Sequence, residues 1–521
     1  AGCVDKLAGK KGSSPPMAAR TPSVSALLFA VLASAACGST WPQVLDPTDI
    51  VTLREGTPHI RRVADLGSPH IGKAGPLAPA SDGQICVGEQ LLIEGSGFGK
   101  QPTVLLGGRP AEVRWRTSGG GLIVQVPTGG PTGAQPLVVE AAGKRAEATV
   151  TVHRLAVVLD GQRGLLHTLR IAGGGGQSPT VEAYGKPLVV AGARGLAVSS
   201  DGAAAYVLLH SGDREQVAIV DLTAAAGPSV RELRPLRHRA SAIVGAASAP
   251  TVAIVGENEL TLWDVSEANR PISWPVAALP TEAHGATMFA LHPNGTLLAA
   301  GFAAQNEVAL IDVRPSRTEV VPKEAARTMV LPLARQPLLH SVRFSSDGEL
   351  LWALSGEGLL GTAQQTTQLV AVTVSDKEPG GIKRSLQLGK PLEIKDAGSP
   401  LWLSVARSQP IASGATIRTV PERSLVVFAT APRTEGNRPQ PGSLFRVGAG
   451  GALKTVITGP QMFPSVDLSP DAGLAVAAEQ NISGPLTVTV ADTEIKTTAS
   501  LTLGTATATT EKAPIAIVVQ P

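Results

Sequence analysis

The sequence predicts an all-β protein, because short apolar strands joined by tight turns recur along most of its 521 residues. Four stretches share one pattern: an apolar strand, then Ser or Pro, then Asp or Asn near a Gly, then a second apolar strand. The acidic or amide residues of these turns are Asp201, Asn294, Asp347 and Asp471. Asp-Gly or Asn-Gly between apolar alternations indicates a hairpin, because a tight hairpin turn needs positive φ. The 57 Gly and 41 Pro residues also favour many short strands over long helices.

The repeated hairpins predict a β-propeller over residues 154–521. A hairpin unit cannot bury both of its faces alone, so successive units must stack, and a propeller is the usual solution. About seven blades are expected, with six or eight left open; they fall near 155–190, 194–222, 240–266, 286–314, 340–375, 400–448 and 463–520. The C-terminal strand 515–519 is predicted to close the ring against the first blade. With its degenerate turns and its Trp263-Asp264 pair, this region resembles the bacterial WD-like and YVTN-like propellers.

Residues 78–153 show a different pattern, in which six short strands with frequent turn signals predict an antiparallel sandwich of the immunoglobulin type. Four motifs in order resemble the IPT/TIG domain family: Ile93 to Gly99, Val104 to Ala111, Val126-Pro127, and Thr132-Gly133 through Val139. The resemblance implies that Gly95, Gly97 and Gly99 serve a backbone turn and that Phe98 fills the core. It also implies roles in contact, adhesion or domain spacing, without catalytic residues.

The N-terminal region predicts export from the cytoplasm. A basic start at Met17, an apolar run over 24–32 and small residues up to Cys37 are typical of a secretory signal peptide. The small residues before Cys37 resemble a bacterial lipobox, which implies lipidation of Cys37 and anchoring to a membrane. Leu32 stands farther from Cys37 than the lipobox pattern requires, so ordinary cleavage after Ala36 and burial of Cys37 in the fold stay open. Residues 1–16 are interpreted as a non-native or mis-assigned leader, and 38–77 as a polar tether.

Composition argues against several classes of function. The formal net charge is only +3 and aromatic residues make up 3% of the chain, whereas nucleic-acid binders usually carry a basic patch with stacking aromatics. The three cysteines, Cys3, Cys37 and Cys86, cannot form a disulfide framework and lack metal-site spacing. No nucleic acid, metal or cofactor is therefore expected as a partner.

Each group of residues that could form a catalytic or ligand-binding site also has a purely structural explanation. The acids of the repeated turns could form a ring for a cation, but Asp and Asn also stabilise tight turns locally, which is the interpretation we favour. The string from Gly356 to Gly361 matches a dinucleotide motif without the helix that such a site needs. The nine histidines are scattered; His210, His284 and His340 lie near strand ends of different blades and would be the candidates if the propeller were an enzyme.

The expected function is non-catalytic binding or scaffolding at the cell envelope or surface, with a protein or glycan as the partner. Binding specificity in propellers lies in loops, and the insertions 359–368 and 432–442 are the predicted binding loops. Two alternatives stay open. One is a propeller enzyme of the lactonase or quinoprotein type, and the other is a periplasmic factor that assembles envelope proteins. An outer-membrane or surface location is expected, with the periplasm as the alternative.

Overall fold

Strands make up the fold. The computed structural model describes residues 44–45, 55–67, 83–212, 214–223, 227–266, 271–273, 277–279, 281–303, 305, 307–313, 327–330, 337–345, 348, 350–357, 367–375, 385–388, 392–394, 400–405, 411–413, 416–418, 426–430, 433–435, 438–440, 442–447, 453–459, 462–480, 485–503 and 514–520. Within these ranges there is no α-helix, and one short 3-10 helix spans Thr281–Ala283. The all-β class predicted from the sequence is confirmed.

The first ten strands form an N-terminal module of two sheets. They are β1 (Val44–Leu45), β2 (Glu55–Gly67), β3 (Ile85–Cys86), β4 (Gln90–Phe98), β5 (Thr103–Leu106), β6 (Arg109–Ala111), β7 (Val113–Thr117), β8 (Leu122–Gln125), β9 (Gly133–Ala141) and β10 (Lys144–Asp160). One sheet has the order β1-β7-β8-β4-β2; the other pairs β3, β10, β9, β5 and β6 in that order. Alternate residues of both sheets meet in one apolar core, which includes Leu91, Ile93, Leu122, Leu137 and Val139.

Strand β2 lies inside the segment 38–77, where the sequence predicts only a tether, and here the structure differs. Its pairing with β4 contains three register shifts, which break the alternation that would identify a strand. Ile60 and Val63 still reach the core of the module, while the charged Arg61 is exposed. Because β2 is at the edge of its sheet, Pro58 is tolerated within it.

The rest of the chain is a repeat module of antiparallel four-stranded sheets. In chain order the strands are β11 (Leu165–Gly174), β12 (Gln177–Ala183) and β13 (Leu188–Val189) of sheet 1; β14 (Ala193–Val198), β15 (Ala204–Ser211), β16 (Arg214–Asp221) and β17 (Ser229–Pro235) of sheet 2; β18 (Ala240–Gly245), β19 (Thr251–Gly256), β20 (Glu259–Asp264), β21 (Ile272–Ser273) and β22 (Ala277–Ala278) of sheet 3; β23 (Met288–Leu291), β24 (Leu297–Phe302), β25 (Glu307–Asp312) and β26 (Arg327–Val330) of sheet 4; β27 (Pro337–Phe344), β28 (Leu350–Glu357), β29 (Thr367–Ser375), β30 (Ser385–Leu388) and β31 (Leu392–Ile394) of sheet 5.

Sheets 6 and 7 complete the repeat module. Sheet 6 pairs β32 (Pro400–Val405), β35 (Val426–Thr430), β38 (Gly442–Val447) and β39 (Leu453–Gly459), and two separate hairpins are inserted between its strands: β33 (Ile411–Ser413) with β34 (Thr416–Arg418), and β36 (Arg433–Glu435) with β37 (Arg438–Gln440). Sheet 7 pairs β40 (Met462–Leu468), β41 (Leu474–Gln480), β42 (Leu486–Asp492) and β43 (Thr498–Leu503). The last strand, β44 (Ile515–Val519), belongs to sheet 1.

Apolar clusters hold neighbouring sheets together. Buried side chains of sheet 1 pack against sheet 2, and the same holds for sheets 2 and 3, 3 and 4, 4 and 5, 6 and 7, and 7 and 1. Trp263, of the Trp-Asp pair seen in the sequence, is buried between sheets 2 and 3 and meets the edge of Tyr206 with ring centroids 6.2 Å apart. Small side chains such as Ala475, Ala477 and Ala478 let the sheets approach closely, which explains a core so poor in aromatics.

The sheets extend beyond the segments predicted as blades. The predicted second blade ends at residue 222, yet the outer strand β17 follows it, and β30 lies beyond residue 375 in the same way. The outer strand of a sheet faces solvent on much of its surface, so it lacks an apolar alternation. In β17, Val230 is 41% exposed and Leu233 is 53% exposed. In sheets 2 and 5, sequence periodicity therefore identified the inner three strands and missed the outer one.

One strand belongs to both modules. The N-terminal half of β10 pairs with β9, and its C-terminal half pairs with β11 on one side and with β44 on the other. The C-terminal strand pairs with the first predicted blade, as expected, since Ala156–Asp160 pairs with Ile515–Val519. Residues 44–521 accordingly form one compact unit.

Buried polar side chains reinforce this junction. Arg154 is fully buried and donates to the carbonyl oxygens of Gln520 (2.6 Å) and Gly130 (2.7 Å). The side chain of Gln520 accepts from the Leu155 amide at 3.1 Å and donates to the carbonyl oxygens of Val87 and Gly202. These bonds connect the N-terminal module, sheet 1 and the first turn of sheet 2 within one network.

Candidate functional site

The repeat module has two distinct faces. In sheets 2 to 7 the strands follow one another in chain order as antiparallel neighbours, so turns from the inner to the second strand lie at one end and turns from the second to the third lie at the other. We call the first end the turn face and the second the mouth face. The N-terminal module lies against the turn face: a Cβ on Gly88 would be 3.4 Å from the Asp201 carbonyl oxygen, and Gly129 lies beside Pro470.

The predicted turn residues lie on the turn face. Asp201 accepts from the Ser199 hydroxyl (2.5 Å) and from the Ala203 amide (3.0 Å). Asn294 accepts from the Thr296 amide and hydroxyl and contacts Nδ1 of His292 at 2.6 Å. These are local bonds of the kind that stabilise turns. Asp347 falls outside the described residues.

Asp471 faces the N-terminal module instead of a neighbouring acid. Burial lowers the pKa of the Arg109 guanidinium in that module, and the carboxylate of Asp471 opposes the shift. Among the described residues, no group of three or more His, Cys, Asp or Glu side chains could hold a metal ion. The hypothetical cation ring thus has no assembled counterpart in the part of the chain that the structure describes.

The glycine string of the IPT/TIG resemblance lies at the end of β4. A Cβ on Gly95 would be 2.0 Å from the His59 carbonyl oxygen, and Gly97, with φ of +74°, would place one 2.3 Å from that of Thr57. Gly99 also has a positive φ, and Phe98 is 2% exposed in the core. The glycines permit the close passage of β2, and no α-helix follows them in the described residues.

A channel runs between the inner strands. Its cavity of about 350 Å³ is lined by residues from β14, β18, β23, β27, β32, β40 and β44, one strand from each sheet. A second cavity of about 390 Å³ lies beside the channel, at the mouth-face ends of sheets 2 to 4. Both cavities are lined by Arg194, Ser241 and Phe289, so together they form one candidate site.

Three polar side chains reach this site because of β-bulges. The pairing of β14 with β15 skips Arg194, that of β18 with β19 skips Ser241, and that of β27 with β28 skips His340. A bulge residue has no partner opposite it, and bulges often redirect a side chain beside a functional site. All three residues line the channel, and we call them the bulge site.

The bulge site combines a cation with neutral polar groups. Arg194 and Ser241 are exposed, and the Ser241 hydroxyl donates to the Val255 carbonyl oxygen at 3.0 Å. Burial lowers the pKa of His340 below its ordinary value, so its imidazole is neutral at pH 7. Since the Ser241 proton is directed to a backbone carbonyl, this geometry does not activate the hydroxyl as a nucleophile.

Farther along the channel, toward the turn face, Asp467 is the acidic residue of the described lining. It is buried, with one carboxylate oxygen accepting from the Ser404 hydroxyl (2.7 Å) and the other from the Val519 amide (2.8 Å). The Asp467 carboxylate of sheet 7 thus bonds to sheet 6 and to the last strand, β44, so its role is to stabilise the packing of these strands.

At the mouth itself the charged lining residues are Arg194, Arg239 and Glu257. A Cβ on Gly256 would lie 2.7 Å from the Arg239 carbonyl oxygen, so this glycine, the last residue of β19, lets the strand pass close to the backbone that carries Arg239. Within the described ranges neither Arg194 nor Arg239 forms an ion pair or a side-chain hydrogen bond. The mouth therefore presents two guanidinium groups to solvent.

Of the three candidate histidines, only His340 lines the channel. Nδ1 of His210 lies 2.7 Å from Oε1 of Glu215, and Nε2 of His284 lies 2.9 Å from the Leu279 carbonyl oxygen. His210 supports the site indirectly, because its backbone amide donates to Gly192, two residues before Arg194, at 2.9 Å.

The two predicted binding loops begin and end at strands whose adjoining ends lie on the mouth face. The 359–368 insertion joins β28 to β29, and only its last residues, which begin β29, are described. The 432–442 insertion joins β35 to β38 and contains the hairpin of β36 and β37. Both connect a second strand to a third.

The predicted lipidation site, Cys37, lies outside the described residues. Cys86, by contrast, is a buried free cysteine at the junction of the modules, where burial raises the pKa of its thiol. Its neighbour Glu89 accepts from the Cys86 amide at 2.6 Å, and burial, with the charge of Asp65, raises the pKa of Glu89 to about 8. No helix among the described residues is long and apolar enough to cross a membrane.

The bulge site was missed at the sequence level, apart from His340. A bulge is a mismatch between two paired strands, so one strand alone does not reveal it. The available signal was a polar residue interrupting an otherwise apolar inner strand, as Arg194 does just before Gly195-Leu196-Ala197-Val198.

Comparisons with known proteins give only distant structural likenesses. No family model and no curated protein matches the chain. Similar solved structures include the periplasmic gluconolactonase PpgL of Pseudomonas aeruginosa (12% identity, 71% of this chain and 99% of that chain, TM-score 0.42) and the β-propeller domain of Cps50 (Swd1) from Myceliophteria thermophila (14%, 68% and 98%, 0.38). Hydrazine synthase of Kuenenia stuttgartiensis is similar as well (13%, 66% and 93%, 0.38). Because every one of these TM-scores is below 0.5, no functional conclusion is taken from them. The chain is an all-β protein whose structural neighbours include β-propellers.

Proposed function

We propose that the seven sheets are the blades of a closed seven-bladed β-propeller and that the N-terminal module is an IPT/TIG-type sandwich. The inner strand of every sheet lines one channel, and β44 completes the first sheet, both of which support a closed ring. For the sandwich, the support is the two-sheet core together with the tight passage of β2 at Gly95 and Gly97.

We further propose that the protein is a binding or scaffold protein of the cell envelope, with the mouth face as its binding surface for a protein or glycan. The observation that carries this proposal is the arrangement of the two modules. The N-terminal module lies on the turn face and is joined to it by β10 and by buried Arg154. The mouth face, with the bulge site and both long insertions, stays accessible to a partner.

The proposal includes a location. The signal-like N-terminus and the lipobox resemblance at Cys37 support export and a lipid anchor, with residues after Cys37 linking the anchor to the N-terminal module. In this arrangement the N-terminal module would act as a pedestal for the propeller. A Cys37→Ser variant should lose incorporated fatty acid and leave the membrane fraction; retention there would contradict the anchor.

Photo-crosslinking in cells that express the full chain tests the binding surface. A photoreactive amino acid replaces Glu257 on the mouth face or, as the matched control, Glu494, an exposed residue in a turn between the third and outer strands of sheet 7. We expect a discrete crosslinked product from position 257 and none from position 494. Products from 494 alone, or none from either position, would contradict a binding role for the mouth face.

The enzyme alternative makes a different prediction. A lactonase or quinoprotein needs acids and histidines that converge on a bound metal or cofactor, and in the described channel His340 and Asp467 are the residues of these types. Both Asp467 oxygens already accept hydrogen bonds, so nothing in the geometry favours this alternative. Lactone turnover by the purified protein that is lost in His340→Gln would establish it.

A further inference from the structure

We propose that the mouth of the channel is a recognition site for organic oxyanions, in which Arg194 and Arg239 bind a carboxylate or phosphate group and Phe289 contacts the apolar part of the ligand. This inference rests on the proposed binding function and specifies the ligand chemistry of the same site. Three observations support the inference: the two cavities, the charged residues that line them, and the contacts that hold the backbone at Arg194 and Arg239.

The charge balance at the mouth favours an anion. Arg194 and Arg239 line the cavity without an ion pair or a side-chain hydrogen bond in the described ranges, and no ion pair joins either of them to Glu257. Two other acids near this face, Glu215 and Glu259, line neither cavity. Glu215 lies 2.7 Å from His210, and Glu259 lies 3.6 Å from His238. Guanidinium groups bind carboxylates and phosphates with two parallel hydrogen bonds, which makes arginine the suitable residue for such a group.

The backbones that carry the arginines are held in place. Arg194 is the bulge residue of β14, and the preceding Gly192 has φ of +75° with no room for a Cβ, which would lie 1.9 Å from the His210 carbonyl oxygen. Arg239 directly precedes β18 and is backed by Gly256. Fixed backbones reduce the entropy lost when the guanidinium groups bind a ligand.

The size of the two cavities limits the ligand to a small molecule or to one chemical group of a larger molecule. The cavities of about 390 and 350 Å³ are within the size range of ligand pockets. Phe289 lines both cavities, and Met288 and Phe344 line the channel below, so an apolar body can follow the anionic head inward. Ser241 and neutral His340 supply hydrogen-bonding groups without adding negative charge.

Calorimetric titration of the full-length mature protein tests the site with three probes of similar shape: phenylacetate, benzyl phosphate and benzyl alcohol. We expect one or both anions to bind at least about tenfold more tightly than the alcohol, with affinity that falls as salt is added. Tighter binding of phenylacetate indicates a carboxylate as the natural group, and tighter binding of benzyl phosphate indicates a phosphate.

The variants Arg194→Met and Arg239→Met keep the aliphatic stem and remove the charge. Each should weaken binding of the preferred anion by about tenfold or more. Arg214→Met is the matched control, because Arg214 is an exposed arginine at the turn between β15 and β16 that lines neither cavity, and it should leave the affinity unchanged. The three variants should melt at the same temperature as the unaltered protein.

Two results would overturn the inference. One is that neither anion binds the unaltered protein, and the other is that the Arg194 and Arg239 variants bind the anion as tightly as the unaltered protein does. The crosslinking experiment separates this failure from failure of the proposed function. Crosslinks from position 257 without anion binding would support the mouth face as a binding surface but reject the proposal that it binds oxyanions. Anion binding without crosslinks would retain the oxyanion site and reject the macromolecular partner.

Discussion

Replacing Arg154 with methionine should loosen the connection between the two modules. Arg154 is fully buried, and its guanidinium donates to two backbone carbonyls that belong to different parts of the junction, Gly130 in the N-terminal module and Gln520 after the closing strand. Methionine replaces the aliphatic stem of arginine and packs flexibly, but it lacks the guanidinium group and cannot donate a hydrogen bond.

The expected loss of unfolding free energy can be worked out from the two carbonyl groups that lose their hydrogen-bond donor. Each buried acceptor that loses its donor costs about 1–3 kcal/mol, so two cost about 2–6 kcal/mol. Removing a buried charge offsets part of this cost, because the guanidinium no longer has to be taken out of water. We therefore expect Arg154→Met to lower the free energy of unfolding by about 3 kcal/mol.

The assay combines urea unfolding, followed by far-UV circular dichroism, with hydrogen exchange of peptides from β10 and β44. Exchange should rise in both strands, since both border the lost bonds. The matched control is Arg116→Met, because Arg116 is also buried but donates to the Lys100 carbonyl oxygen at 2.8 Å within the N-terminal module. A loss below about 1 kcal/mol, or unchanged exchange in β44, would refute the view that Arg154 couples the modules.

Three further predictions concern the same framework. Because the pKa of Glu89 is raised to about 8, the folded protein holds a proton that the unfolded chain releases near pH 4.5. The stabilisation from this proton is full below pH 4.5 and is lost as pH rises through 8, so the free energy of unfolding should fall by at most about 1.4 kcal/mol per pH unit between them. Glu89→Gln should remove this pH dependence of the free energy of unfolding, as measured by urea unfolding. Gly97→Ala should destabilise the protein by about 2 kcal/mol in the same assay, because the new Cβ meets the Thr57 carbonyl oxygen at a positive φ; an unchanged midpoint would contradict this. Deletion of residues 514–521 should expose the edge of Ala156–Asp160 and produce aggregated protein in size-exclusion chromatography, whereas a monodisperse product would show that the ring does not need its last strand.

Much of the repeat architecture was predictable, because its signals are local. The Asp201-Gly202 and Asn294-Gly295 turns and the apolar strands beside them depend on neighbouring residues alone, and they revealed the inner three strands of sheets 2 and 4. The outer strand β17 was not predictable, since a strand that faces solvent needs no apolar alternation. Strand β2 was missed for another reason: bulges change the phase of its side chains relative to β4.

The candidate site was much less predictable than the fold. Which face of the repeat module is accessible depends on where the N-terminal module lies, and that follows from the path of β10 and not from any motif. Arg194 and Ser241 reach the channel through register shifts between paired strands, which no single segment encodes. His340 was named as a candidate from its place near a strand end, but its companions in the channel were unknown.

The sharing of β10 between the modules also has a consequence for synthesis of the protein. The N-terminal module and one edge of β10 can form early, but the other edge has its partner only after β44 has been made, since 365 residues separate Leu155 from Gln520. Until β44 has been made, sheet 1 thus keeps an open edge, and chaperones or export in an unfolded state would have to protect it. A chain that stops before β44 leaves the Ala156–Asp160 edge unpaired, and an unpaired edge is a template for association with another chain.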